Sequence, residues 1–164
     1  MRSPNSPLND NYGRKKMIEL TPTEVALAAQ IGSRRFIEST FSGRTQYIGD
    51  SDGWNNNIEG CLAEVALAKH LNAWFDPNLM KFGEVDVLDW HVRSTHYENG
   101  HLYIAQHETE GKYILMIGKF NKWRVAGWID AADARQPEYL RTMRDDRKVK
   151  CYWIPKNKLH NLER

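Results

Sequence analysis

Upstream of Val85 the apolar residues recur at steps of three and four, and from there on they alternate, so the chain divides where the period changes. Thr21 followed by Pro22 and Glu24 marks a helix start, with Thr as N-cap, Pro at the first helical position and Glu three residues beyond the cap. A first helix is predicted from about Pro22 to Ser39, burying Val25, Ala28, Ala29, Ile31 and Phe36 and carrying Arg34 and Arg35 towards its C-terminal end. A second, Asn55 to Leu71, sets Ile58, Leu62, Val65, Ala66 and Leu71 on adjacent faces, with Glu64 midway among small and apolar neighbours. Downstream, Trp90–Tyr97 and Leu102–His107 flank Asn99-Gly100, a pair that accepts the positive φ angles of a type I′ turn, and a hairpin is predicted. Lys112–Gly118, apolar on both faces, reads as a central strand. Trp123–Ile129 and Val149–Ile154 are further strands, and short helical pieces are predicted at Asp130–Ala134 and around Leu159. Two helices followed by a mostly antiparallel run of strands make an α+β pattern.

Length and composition add boundaries. At 164 residues the chain suits one compact domain. Residues Met1 to Lys16 are rich in Pro, Asn and Ser and end in three cations, which predicts a disordered tail ahead of a single domain over 17–164. The net charge of +2, from 23 Lys and Arg against 21 Asp and Glu, gives no global attraction for a polyanion, so any such face must be local. Cys61 and Cys151 read as reduced core residues. The absence of an apolar run of membrane-spanning length, and of a hydrophobic signal region in the first residues, predicts a soluble protein of the cytoplasm.

Candidate chemistry gathers at the predicted hairpin. A two-residue turn at Asn99-Gly100 sets Glu98 opposite His101, Thr95 opposite Ile104, Arg93 opposite Gln106 and His91 opposite Glu108. His91, Arg93 and Thr95 then share a polar face with Gln106 and Glu108, while Trp90, Val92 and Ser94 point the other way. An acidic turn, Asp86 and Asp89, leads straight into this face. Such a place suits a divalent cation, with Asp86 and Glu64 supplying oxygen and His91 nitrogen. The same pattern fits a solvated sheet face, and Glu64 fits an exposed helix charge paired with Lys69; spacing alone does not choose. Four histidines, at 91, 96, 101 and 107, do not make a zinc site, because alternation sets His91 opposite in face to His96. The basic run Arg141–Lys150, interrupted by Asp145 and Asp146, reads as a solvated connection. Neither a glycine-rich phosphate loop nor a Gly-x-Ser-x-Gly elbow occurs.

The run from Glu59 to Leu71, EGCLAEVALAKHL, followed by Asp86 to Leu102, DVLDWHVRSTHYENGHL, resembles the PD-(D/E)XK nuclease superfamily with its restriction-endonuclease-like fold. Gly60 and Glu64 match the Gly-x-x-x-Glu element of its helix. The chain is also similar, over roughly Asn55 to Leu159, to a group of small proteins of tailed bacteriophages. Asp86-Val87, His91-Val92-Arg93, Asn99-Gly100, Ile114-Leu115 and Gly127-Trp128-Ile129 match that group's motifs in order.

The resemblance implies a restriction-endonuclease-like core, helices packed on a mostly antiparallel mixed sheet. It implies Asp86 as the metal-binding Asp, His91 in place of the superfamily's Glu, Arg93 in place of its Lys, and Glu64 as the helix carboxylate. Mg2+ or Mn2+ is the implied cofactor, the imidazole favouring manganese, and the implied activity is phosphodiester hydrolysis in the cytoplasm of a phage-infected bacterium. Arg93 departs from the pattern most, since a guanidinium can hold a phosphate but cannot accept a proton. Two further functions stay open on the same scaffold. One is a catalytically inactive nucleic-acid-binding module, for DNA in preference to RNA, with Arg34, Arg35, Arg93 and Gln106 on the nucleic acid. The other is a protein that binds and inhibits a host factor; a homodimer is compatible with each.

Overall fold

The computed structural model describes residues 16–43, 53–77, 84–144 and 149–162. The tail expected over Met1–Lys16 lies outside them, apart from Lys16. The elements in chain order are β1 (Ile18–Glu19), α1 (Pro22–Phe41), α2 (Gly53–Leu71), β2 (Trp90–Thr95), β3 (Leu102–Ala105), β4 (Lys112–Lys119), β5 (Lys122–Asp130), α3 (Ala131–Ala134), β6 (Leu140–Arg144) and β7 (Val149–Ile154). The fold is α+β.

Helix α1 starts where its capping residues dictate. Thr21 Oγ1 accepts from the Glu24 N–H, and Glu24 Oε2 accepts from the Thr21 N–H at 2.6 Å, so two orphan donors are satisfied reciprocally. Helix α2 is buried on every side from Cys61 to Ala68, because α1 covers one flank and a sheet the other. The two helices approach closely at Gly32: a Cβ there would lie 2.6 Å from the Cα of Ile58.

The strands form two sheets. The larger has the order β1-β5-β4-β2, with β4 central as its apolar run predicts; the smaller has the order β3-β7-β6. Within the larger sheet β1–β5 and β5–β4 are antiparallel and β4–β2 is parallel, so it is mixed and mostly antiparallel. Ile114 and Met116 of β4 face the helices together with Trp90 and Val92 of β2. Tyr113, Leu115 and Ile117 face the second sheet, against Leu102, Ile104, Tyr152 and Ile154. Helices, mixed sheet and second sheet are thus three layers around two cores. Full burial of side chains such as Leu62, Leu102 and Ile114 is worth about 1.5–3 kcal/mol each against exposure.

The predicted hairpin does not form. A turn closes from Tyr97 to Gly100, where the Gly100 N–H donates to the Tyr97 carbonyl, but its central residues are Glu98 and Asn99 and neither Asn99 nor Gly100 takes a positive φ. β2 pairs with β4 in parallel, and β3 pairs with β7 antiparallel, so the two strands flanking the turn go to different sheets. The reason is the apolar pattern of β4, which offers a buried ladder to β2 that outweighs a local turn. Glu98 faces Arg124 and Lys156 rather than His101, accepting from both. The segment expected to be a solvated connection holds β6, paired antiparallel with β7, although residues 145–148 lie outside those described.

Candidate active site at an edge strand

β2 lies at the edge of the mixed sheet, and its free edge is closed by side chains. Asp86 Oδ2 accepts from the Val92 N–H at 2.7 Å, and Arg93 Nη1 donates to the Val92 carbonyl at 3.2 Å. Asp86 sits in the turn that enters the strand, where its own N–H donates to the Trp90 carbonyl. Around this edge meet groups from both faces of the sheet: Glu64 from α2 on one side, His91 and Arg93 from β2 on the other.

Glu64 is 7% exposed, and Arg35 Nη1 reaches both of its oxygens at 2.7 Å. It is not the exposed charge paired with Lys69; that lysine binds Glu24 instead. Burial pushes the Glu64 carboxyl up, Arg35 pulls it back and Asp86 pushes it up again, leaving it at about 7. Asp86 is raised too, by burial, against the pull of the Val92 N–H, Arg93, His91 and Arg35. Arg35 gains from the same pair: burial opposes its charge, but Glu64 outweighs burial and lifts its pKa. The two carboxylates are therefore electrostatically joined, each feeling the charge on the other's surroundings.

Arg93 stands between two tyrosine rings, its guanidinium carbon 5.2 Å from the centre of Tyr103 and 5.0 Å from that of Tyr113. Its Nη2 donates to Glu108 Oε1 at 2.6 Å, and the other Glu108 oxygen accepts from the Ala105 N–H. Burial works against the charge, but the acidic surroundings, Tyr103 and Glu108 foremost, hold the guanidinium above its usual pKa. The strand face expected to be polar and solvated is thus covered by the second sheet. Arg93 lies beside Glu108 and not beside Gln106, because β3 has left β2's sheet. Gln106 is exposed and held by its main chain, its N–H donating to Lys150 and its carbonyl accepting from Arg135.

His91 stacks on Tyr113 with ring centres 4.6 Å apart, and its imidazole packs against Gly111, whose φ of +101° and closeness leave no room for a Cβ. Arg34 is exposed on α1. Of the residues singled out in the sequence, Glu64, Asp86, His91, Arg93 and Arg35 come together; Arg34 and Gln106 stay on the surface. Arg35 as the partner of Glu64, and Tyr103, Tyr113 and Glu108 as the cage of Arg93, carry no local signal, since each depends on a non-local pairing. Among the described residues no group of three or more His, Cys, Asp or Glu side chains is gathered so as to hold a metal ion. Glu64 and Asp86 offer oxygens of the kind a hard divalent cation takes, one or two carboxylates per ion, but Arg35 donates to both Glu64 oxygens and the Val92 N–H to Oδ2 of Asp86.

A cleft of about 290 Å³ runs from Arg93 along the free side of β2, past Thr95 and His96, to Lys119 at the end of β4, with Asn56 and Glu59 of α2 as its other wall. Among the described residues no helix is long and apolar enough to cross a membrane. Comparison with family models, curated proteins and solved structures finds no match to the chain.

Proposed function

We propose that this chain is a metal-dependent nuclease on a restriction-endonuclease-like core, hydrolysing phosphodiesters of nucleic acid, DNA in preference to RNA, in the cytoplasm of a phage-infected bacterium. The observation that carries the reading is the convergence of Glu64, from a buried helix, with Asp86, from the turn entering an edge strand, in a setting that raises both carboxyl pKa values. Glu64 and Asp86 would hold Mg2+ or Mn2+, with His91 beside Asp86. The cation, when bound, supplies charge stabilisation for in-line displacement at phosphorus. Arg35 keeps Glu64 oriented and offsets part of the cost of its charge. Arg93, fixed between its tyrosines, holds a phosphate oxygen and takes no proton.

A second reading is favoured by one feature. Arg35 already neutralises Glu64, as it would in a module that keeps the scaffold, binds nucleic acid and has lost the chemistry. Labelled single-stranded DNA, duplex DNA and RNA incubated with Mn2+, Mg2+ or chelator separate the two. Cleavage that needs metal and is abolished by Asp86→Ala supports the nuclease; retention on the nucleic acid without cleavage supports the module. Neither cutting nor binding at low salt removes both and leaves a binder of a host protein.

A further inference from the structure

The turn that joins β4 to β5 has two residues, Phe120 and Asn121, between the paired Lys119 and Lys122. Phe120 takes φ +55°, the left-handed region, at the first central position of a two-residue hairpin, where glycine is the usual occupant. The residue is 60% exposed. A phenylalanine is here unfavourable twice, in backbone conformation and in contact with water, and a residue wrong for its local structure is a pointer to a function. The tip is also held stiffly: Trp123 Nε1 donates to the Phe120 carbonyl at 2.8 Å, and the Leu20 N–H donates to the Asn121 carbonyl at 2.8 Å. A rigid aromatic presented to solvent loses little entropy when something covers it.

Its neighbours say what covers it. From Lys112 to Ala126 the chain holds Lys112, Lys119, Lys122 and Arg124 and no acidic residue, and both tip lysines are exposed; Glu19 stands opposite Lys122 in the β1–β5 ladder, Arg124 is paired with Glu98, and Glu59 lies on the cleft wall. Lys119 lines the far end of the cleft that begins at Arg93. An exposed apolar ring between two exposed lysines, one of which lines the cleft that holds Arg93, matches a base with its phosphates and not an apolar peptide. We infer that Phe120, set between Lys119, which lines the Arg93 cleft, and Lys122, is a stacking platform for an unpaired base, so that the preferred substrate is single-stranded or frayed nucleic acid. A duplex keeps its bases stacked on one another and offers the ring nothing; a single strand offers a π-face at each nucleotide. The inference rests on the nucleic-acid reading above and narrows its substrate.

The test measures fluorescence anisotropy of a labelled oligothymidylate and of a duplex of equal length, at low salt with chelator present so that nothing is cut. Phe120→Gly suits the strained φ and is expected to melt at or above the wild-type temperature, which removes misfolding as an explanation. Its affinity for the single strand should fall about five- to hundredfold while that for the duplex stays within twofold. Phe120→Trp should bind the single strand at least as well as wild type. Unchanged single-strand affinity in Phe120→Gly, or an equal loss on both probes, overturns the inference and leaves the nucleic-acid reading intact. Wild-type protein that binds neither probe overturns the inference, and the cleavage and retention assays with metal decide the nucleic-acid reading separately.

Discussion

Arg35 of α1 and Glu64 of α2 form a part-buried ion pair in which one guanidinium nitrogen lies 2.7 Å from both carboxylate oxygens. The pair ties the two helices at the end of α1 that passes the site, and it accounts for a charge in the middle of an otherwise apolar helix. Removing Arg35 leaves the ionised Glu64 without a counter-charge in a dry place. Arg35→Met should therefore cost about 1 kcal/mol more at pH 8 than at pH 5, where Glu64 is protonated and needs no counter-charge. Urea denaturation at the two pH values reads the difference directly.

The sign of the Glu64 titration gives a second expectation. Its folded pKa of about 7 lies above the ordinary 4.5, so its contribution to stability is full below about pH 4.5 and is lost as pH rises through 7. Glu64→Gln, which stays neutral, should melt close to wild type at pH 5 and above it at pH 8 in the absence of divalent cation. Mn2+ at pH 8 should raise the wild-type melting temperature and leave that of the variant unmoved. A wild-type melting temperature that climbs relative to Glu64→Gln from pH 5 to 8 without metal would contradict the electrostatics.

Arg93→Lys restores the residue type usual in the superfamily that the sequence resembles, but the structure gives it a cost. The planar group between Tyr103 and Tyr113 is lost and Glu108 keeps a single-point partner, so a destabilisation of about 1–2 kcal/mol is expected. If the site turns over, metal-dependent cleavage by this variant in Mn2+ should equal or exceed that of wild type. Cleavage assays normalised to folded protein decide it.

Gly32→Ala tests the helix contact on which the ion pair depends. The added Cβ would meet the main chain of Asn57 and Ile58 at 2.6–2.9 Å, and backbone cannot swing aside as a side chain can. A loss of about 1–3 kcal/mol is expected. Gain of stability, as for an ordinary glycine-to-alanine change within a helix, would mean that α1 and α2 lie farther apart.

Local rules read well where the information is local. Thr21-Pro22-x-Glu24 announces α1 through its own hydrogen bonds, and the unbroken apolar run of β4 announces its central place. Asn99-Gly100 misled for the opposite reason: the turn exists, shifted by one residue, but what pairs with β2 is decided by the two-faced burial of β4, about twenty residues on. The candidate site divides in the same way. Glu64 and Asp86 stand out by being charged beside apolar neighbours, whereas Arg35 and the tyrosine cage become partners only once α1 lies on α2 and the second sheet lies on the first.

Because Asp86 caps the free edge of β2 through the Val92 N–H, one amide hydrogen reports on the use of that carboxylate. Exchange with deuterium at Val92 is slow while Oδ2 holds the hydrogen. A ligand that takes Oδ2 releases the amide and speeds exchange there, while the alternate amides of β2 that face β4 stay protected by the ladder. A ligand that takes only the other oxygen leaves Val92 slow. The edge of the sheet thus carries its own indicator of how the site is occupied, legible in solution without any assay of turnover.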